Sequence, residues 1–325
     1  MPSSLIIGAG LAGLTAAREL TRYGWDVTVV DKGRGIGGRL ATRRIEQARL
    51  DHGAQYISAK TTAFKHLLQD LSAQGIVAEW HLEQATLGDT NFNHSRYIGA
   101  NGMNEIAKAL ARNLTVLTNE TVCQIRTDDT GWLVETEAGA QYRADSLIVT
   151  IPAPQALTLL EKSHVGLTAS DQQALSAITY HPCIAVMVAM NQPSLLPPPG
   201  AIRYQTGSVA WIADNGQKGI SPDQPSVTIH ASADFSQAHF DSDLSGIGQQ
   251  LIDQVSEWIP ASAVRSIQVH RWRYSLANQR YPGSFLAAAA LSPLLFGGDG
   301  FGDGNVEGAF TSGLQMATYL RENLA

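Results

Sequence analysis

At 325 residues, with 44% hydrophobic and 16% charged residues, the chain can bury a sizeable core and exceeds one ordinary domain, so two lobes are expected. A net charge of -6 and a pI near 5.8 argue against sequence-independent nucleic-acid binding and attraction to anionic membranes. Cys123 and Cys183 lie far apart, and no two of the nine histidines fall within five residues of each other. That leaves neither a disulfide framework nor a metal-ligand spacing, and it predicts a reducing, cytoplasmic setting without a metal.

Residues 3–39 carry the strongest local signal. Leu5, Ile6 and Ile7 form an apolar run that stops at glycine, the pattern of a buried parallel strand. Gly8, Gly10 and Gly13 set a GxGxxG spacing. The first allows a tight turn, the second lets a pyrophosphate approach bare backbone, and the third lets the next helix pack on the strand. That helix turns Ala16, Ala17 and Leu20 inward and ends at Gly24. Val27 and Val29 alternate into a second strand, which delivers Asp31 18 residues beyond Gly13, where a dinucleotide fold needs an acceptor for ribose hydroxyls. Gly37, Gly38 and Arg39 follow, and a cation here can close over a pyrophosphate through charge-assisted bonds. Arg34, Arg43, Arg44 and Arg49 extend the basic patch and point to a pyrophosphate or phosphorylated substrate. The N-terminus runs straight into the first strand, leaving no room for a signal peptide.

Residues 60–76 space Phe64, Leu67, Leu68 and Leu71 as an amphipathic helix, and 77–98 read as strands carrying Trp80 and Tyr97. Gly99 to Leu114 is a glycine turn opening a helix with Ile106, Leu110 and Leu114 inward. Residues 115–150 predict a strand, a small meander turning near Asp128 to Gly131 and Glu137 to Gly139, and an apolar strand from Leu147 to Val149. Pro152 and Pro154 end that stretch. The part from 155 to 285 reads as β-rich, with strands at Ala185–Met190, Val209–Ala213, Val227–His230 and Ile267–Arg273 and a helix from Leu244 to Trp258. Phe285 to Leu291 is too short an apolar run to span a bilayer. The chain then reaches Gly297-Gly298-Asp299-Gly300, followed by Asn305 to Gly313, a glycine loop that opens a terminal helix.

The N-terminal stretch resembles the FAD sites of glutathione reductase-like and amine oxidase-like proteins, with Asp31 where most carry Glu. Over its whole length the chain is similar to the renalase family: DKGRGIGGRLATRR, LDHGAQYI, NGMNEIAKAL, VTIPAP, TYHPCIAVMV, WIADNGQKG, VTIHASADFS, HRWRYSLA, GGDG and VEGAFTSG fall in that family's order. The resemblance implies an α/β fold, with a Rossmann-like FAD-binding domain and a second, β-rich substrate-binding domain. The first is expected over 1–57, 99–152 and 286–325, the second over 58–98 and 153–285. It implies non-covalent FAD held by Gly8, Gly10, Leu11, Ala12 and Gly13, by Asp31 and Lys32, and by Gly38 and Arg39. Gly53, Ala54 and Gln55 would pass the ring system and Val122 would bond the adenine. Gly298 and Asp299 would close the site, with Val306, Glu307 and Phe310 opening a helix whose N-terminal dipole faces the flavin.

Renalases are FAD oxidases that take hydride from isomers of NADH and NADPH reduced at ring position 2 or 6, regenerate NAD(P), and reduce O2 to hydrogen peroxide. Such donors need positioning near flavin N5 rather than a general base. No Ser/His/Asp or Cys/His constellation is evident, and no lysine matches the one amine oxidases place near N5. Tyr56, Tyr180, Arg203, Trp211, His230, Trp272 and Tyr274 are the candidates for holding a nicotinamide, with His230, which ends a short apolar strand, ranked first. Apart from Tyr56, whose place in the chain favours the flavin side, each of these side chains suits an ordinary strand core more readily than a ligand contact. The competing readings are a flavin oxidase of amines or another substrate on the same fold, and a non-catalytic protein of the kind represented by GDP-dissociation inhibitors.

Overall fold

The computed structural model describes residues 1–84, 95–289 and 291–324. Residues 85–94 of the expected strand region, and Ala290 of the apolar run, lie outside these. The chain divides into two compact units, Met1–Gly38 with Ala107–Tyr180 and Ala277–Ala325, and Arg39–Ile106 with His181–Leu276.

The first unit is built on a six-stranded sheet in the order Phe285–Ala287, Leu294–Gly297, Ser146–Val149, Ser3–Ile7, Asp26–Asp31, Thr115–Thr118. All neighbours run parallel except the edge pair Phe285–Ala287 with Leu294–Gly297. The central strands are apolar on both faces because both are covered, one by helices Leu11–Arg22 and Asn305–Leu324 and the other by a three-stranded meander whose Trp132 and Val134 pack against Leu5 and Leu147; Ser146–Val149 and Leu294–Gly297 are buried throughout. Strand Ser3–Ile7 has Asp26–Asp31 on one side and Ser146–Val149 on the other. The strand order reverses there, and the carboxyl ends at such a point are where dinucleotides bind in this architecture. Helix Leu11–Arg22 packs along the terminal helix Asn305–Leu324. They meet so closely that a Cβ on Gly313 would lie 2.4 Å from the Ala12 carbonyl oxygen. The meander is present as Val122–Asp128, Gly131–Thr136 and Gln141–Ala144, with Gly131 and Gly139 at positive φ in its turns.

The second unit holds a five-stranded sheet in the order Ala201–Arg203, Val209–Asp214, Ser226–Ala231, Thr179–Met190, Val264–Gln279. Helices Ala233–Ala238 and Leu244–Asp253 accompany it. The expected helix to Trp258 stops earlier. From Val255 onward the backbone bonds shorten to one 3₁₀-like turn after another, with Val255 N donating to Ile252 O and Trp258 N to Val255 O ahead of Pro260. Helix Thr62–Ala73 buries Phe64, Leu68 and Leu71, and Thr61 caps it through a bond from the Phe64 N–H.

The unit boundaries differ from the division read in the sequence, for packing reasons. Residues 39–57 fall in the second unit because the hairpin Thr42–Ile45 with Ala48–Asp51 buries Ile45, Ala48 and Leu50 against Met187 and Ala189. Residues 153–180, read as β-rich, contain helices Ala153–Lys162 and Ala169–Ser176. Their Ala156, Leu159, Leu160 and Leu175 join Leu5, Val149 and Phe296 in the core of the first unit.

Candidate functional site

In the first unit the dinucleotide motif is assembled by backbone alone. Gly8 has φ +112 and donates its N–H to the Val30 carbonyl 2.8 Å away. A Cβ on Gly13 would lie 2.0 Å from the Gly8 oxygen, so only glycine lets the helix start this close to the strand. Gly10 differs: its φ is -77, and a Cβ there would meet nothing within 4 Å. It is the N-cap of helix Leu11–Arg22, and no side chain caps that helix. The backbone N–H groups of Leu11, Ala12 and Gly13 therefore begin a helix with an open approach, the arrangement that receives an anion.

Asp31 sits at the carboxyl end of its strand, accepting the Ala9 N–H at 2.7 Å and the Gly33 N–H at 2.6 Å. Gly37 donates to the Ala9 oxygen at 2.8 Å, and the Cβ position of Gly38 lies 3.4 Å from the Gly10 Cα, so this second glycine turn flanks the first. Lys32 is exposed beside Asp31. Val122 begins the strand that follows Asn119 and Glu120, whose N–H groups bond the Gly33 and Asp31 carbonyls. At the other end of the chain Gly298 has φ +129 and donates to Ser312 Oγ at 2.8 Å, which ties the Gly298-Asp299 turn to the terminal helix. That helix opens at Asn305, with Val306 and Glu307 half-buried and Phe310 buried. These residues fit FAD: two glycine turns, an uncapped helix N-terminus and one fixed carboxylate surround space that a Cβ on Gly10 would enter.

Tyr180 packs on Gly300. It lies in the first unit, where its hydroxyl covers Gly300 so closely that a Cβ there would come within 2.5 Å. The missing side chain of Gly300 makes room for the tyrosine, which is half-buried there.

The second unit gathers the rest. Arg203 is the cross-strand partner of Trp211, and Trp211 of His230, so three candidates from three strands form one row on one face of the sheet. Residues 51–56 cross this row. Tyr56 packs on Trp211 with ring centroids 5.7 Å apart, and its hydroxyl takes a hydrogen bond from Arg203. The Arg203 guanidinium also lies 5.9 Å from the Trp211 ring centroid, and that of Arg96 lies 5.7 Å from the Tyr56 ring. Gln55 is buried with its amide fully engaged. Its oxygen accepts from Trp211 Nε1 at 3.3 Å, and its nitrogen donates to the Asp51 and Gly53 carbonyls at 2.6 and 3.2 Å and faces His230 Nε2 at 3.4 Å. An amide nitrogen cannot accept, so the His230 Nε2 that faces it is the unprotonated ring nitrogen and the ring proton sits on Nδ1. The ring also bonds the His52 backbone, and burial, followed by the Lys218 charge, lowers its pKa to about 4.

Gly53 and Arg39 account for the path of this segment. A Cβ on Gly53 would stand 2.0 Å from the Arg39 oxygen, and the Ala54 N–H bonds that same oxygen at 2.9 Å. The Arg39 guanidinium reaches the Ser275 carbonyl at 3.3 Å. Trp272 Nε1 donates to the His52 carbonyl at 2.8 Å and its ring stacks on His52, which in turn meets His270 edge-on. Tyr274 lies two residues further along the strand, on the face of Trp272. His52 is 5% exposed, and burial, with smaller effects from His270, Arg43 and His230, lowers its pKa to about 3. Although these histidines gather, no group of three or more His, Cys, Asp or Glu among the described residues is arranged to hold a metal ion. The arginine patch disperses: Arg43 bonds Gln268, Arg49 bonds Asn101, and Arg44 and Arg49 line a shallow depression with Glu46 and Asp223.

One pair that the sequence concealed lies beneath this site. Lys218 and Asp51 form an ion pair of 2.7 Å with both side chains fully buried. Lys218 stands in a turn that looks solvent-facing in sequence, and no periodicity marks it. The turn is built inward by Asp214, whose carboxylate accepts the N–H groups of Gly216 and Gln217, and by buried Asn215.

A Rossmann-type unit with an open glycine turn and a fixed acid defines a dinucleotide-cofactor protein. Residues 76–321 match the family described as flavin containing amine oxidoreductase, and residues 6–71 match the NAD(P)-binding Rossmann-like domain. The chain belongs to the flavin-containing amine oxidoreductases, and it is an FAD-dependent oxidoreductase. It is similar to mouse renalase, at 27% identity over 99% of each chain. It is also similar to putrescine oxidase from Kocuria rosea, at 36% identity over 22% of this chain and 15% of that one. Among solved structures, putrescine oxidase bound to putrescine shares the fold with a TM-score of 0.74 at 16% identity, covering 99% of both chains. Reduced UDP-galactopyranose mutase does so at 0.72 and 13%, covering 100% of this chain and 96% of that one. No helix among the described residues is long and apolar enough to cross a membrane.

Proposed function

We propose that this enzyme oxidises isomers of dihydro-NAD(P) that carry the transferable hydride at ring position 2 or 6, releasing NAD(P)+ and passing the electrons to O2 as hydrogen peroxide. Bound FAD would supply the two-electron acceptor. The residues of the first unit around Gly10 and Asp31 bind the cofactor. Those of the second unit, Tyr56, Trp211, His230, Trp272 and Tyr274, hold the dihydronicotinamide.

The observation that favours this reading over amine oxidation is the capping of the aromatic rings. An alkylammonium substrate would use the ring faces of Tyr56 and Trp211 as cation sites, but guanidinium groups of Arg96 and Arg203 already occupy those positions. A substrate carrying a diphosphate is attracted by the same guanidiniums, which suit phosphate oxygens. His230 offers no base, since its pKa is lowered to about 4 and Gln55 covers its Nε2. Hydride donation from a dihydronicotinamide needs none. Similarity to renalase along the whole chain supports the same substrate class.

The test is anaerobic mixing of the purified holoenzyme with 2- and 6-dihydro-NAD(P), ordinary NADH and a panel of amines that includes putrescine, followed by flavin absorbance. Rapid bleaching by the isomers alone, reversed by air with one hydrogen peroxide per substrate, is the expected result. Bleaching by an amine instead would assign the protein to amine oxidation.

A further inference from the structure

We propose that the buried Lys218–Asp51 ion pair is the positioning element of the second unit's site, fixing the Gln55 amide and, through it, the tautomer of His230. Two arms run from the pair to Gln55. Asp51 itself supplies the first, because its backbone oxygen is the nearest acceptor of the Gln55 amide nitrogen, at 2.6 Å. The second passes from the Lys218 ammonium, 5.3 Å from the Trp80 ring centroid, through the edge-on contact of Trp80 with Trp211, to the bond from Trp211 Nε1 to the Gln55 oxygen. The amide is thereby held at both ends and cannot turn over, so its nitrogen stays toward His230 Nε2.

The two oxygens of Asp51 divide the work. Oδ2 takes Lys218, while Oδ1 accepts the Thr42 hydroxyl at 2.6 Å and the Met103 N–H at 2.9 Å. Together they fix where residues 51–55 leave the hairpin. Both ionic side chains are fully buried, and replacing such a pair by a neutral one of similar shape is frequently harmless to folding. The pair therefore serves orientation, at a place where a neutral contact would satisfy the fold.

The division of the carboxylate also defines the variant. Asp51→Asn with Lys218→Met removes both charges, keeps an Oδ1 for Thr42 and Met103, and leaves an unbranched apolar stem against Trp80. The primary measurement is the 15N spectrum of histidine-labelled holoenzyme, with His230→Gln assigning the resonances. Wild type is expected to give an acceptor-type Nε2 and a protonated Nδ1 at His230, without averaging. The double variant is expected to give averaged nitrogen shifts at His230 while retaining FAD. A kinetic arm rests on the substrate reading above: KM for the dihydro-NAD(P) isomer should rise about tenfold with kcat changed by less than about threefold, the pattern of lost ground-state positioning. His230 nitrogen shifts identical to wild type in the double variant would overturn the proposal. Gln55→Leu, which leaves the ion pair in place, must produce the same averaging; an unchanged His230 tautomer in that variant would overturn it equally. If the isomers reduce neither wild type nor variant, the substrate reading fails, and the nitrogen spectra still decide the positioning role.

Discussion

Gly10→Ala is expected to give a folded protein that has lost FAD, whereas Gly13→Ala loses both cofactor and stability. The contrast follows from what a methyl group meets at each position. At Gly10 the backbone is already in a region open to alanine, and no protein atom lies within 4 Å of the added Cβ. The new methyl instead enters the space beside the uncapped N-terminus of helix Leu11–Arg22, where a pyrophosphate must touch bare backbone. Affinity for FAD should fall by at least about a hundredfold, or about 2.7 kcal/mol, with an unchanged far-ultraviolet spectrum and thermal midpoint of the cofactor-free protein. At Gly13 the added carbon falls 2.0 Å from the Gly8 oxygen and 2.9 Å from Thr150 Oγ1, so the helix has to move off the strand. That movement is resisted because the same helix is packed against Asn305–Leu324 at Gly313. A loss on the order of 3 kcal/mol or more follows from strain of this kind. Flavin content after purification and urea midpoints of the cofactor-free forms separate the two variants. A yellow Gly10→Ala protein with native affinity would remove this turn from the cofactor site.

These glycines were readable because their constraint is local. A strand, a turn of close approach, a helix and a second strand follow within 31 residues, and each step demands a particular residue type. The second unit is legible only in part. Alternation puts Trp211 and His230 on a strand face, but it does not say which strands neighbour each other, so the Arg203–Trp211–His230 row needed the register. Tyr180 is marked in the sequence by residue type alone, and its packing over Gly300 is a long-range contact that no local pattern announces. In the hairpin 42–51, arginines at 43, 44 and 49 mask the inward set Ile45, Ala48 and Leu50. Lys218 and Asp51 are 167 residues apart, and a lysine between glycines in a polar turn carries no signal that it is buried. Long-range polar pairs are specified by tertiary packing, which a single sequence does not display.

Acid is expected to destabilise this protein well before its carboxylates titrate. His52 and His230 are held neutral by burial, with pKa values of about 3 and about 4 against 6.5 for a free histidine. A lowered folded-state pKa means that between 6.5 and those values the unfolded chain binds protons that the folded protein refuses. Stability therefore is greatest above pH 6.5 and declines as pH falls, at about 1.4 kcal/mol per pH unit for each histidine, levelling only near the folded values. At pH 5 the two together remove about 4 kcal/mol, a large part of an ordinary domain's stability. His270, lowered by burial and by Arg43, acts in the same direction. Urea midpoints at pH 7.5, 6.0 and 5.0 and constant ionic strength measure this slope, and His52→Gln with His230→Gln should flatten it. The neutrality that creates this sensitivity also serves the proposed chemistry: a protonated His230 would lose the acceptor that Gln55 faces and place a cation beside Lys218. Substrate affinity should consequently fall over the same pH range as stability. A urea midpoint that stays constant from pH 7.5 to 5.0 would mean that water reaches both rings, and the site would then be open where the packing of Trp211, Trp272 and Gln55 closes it.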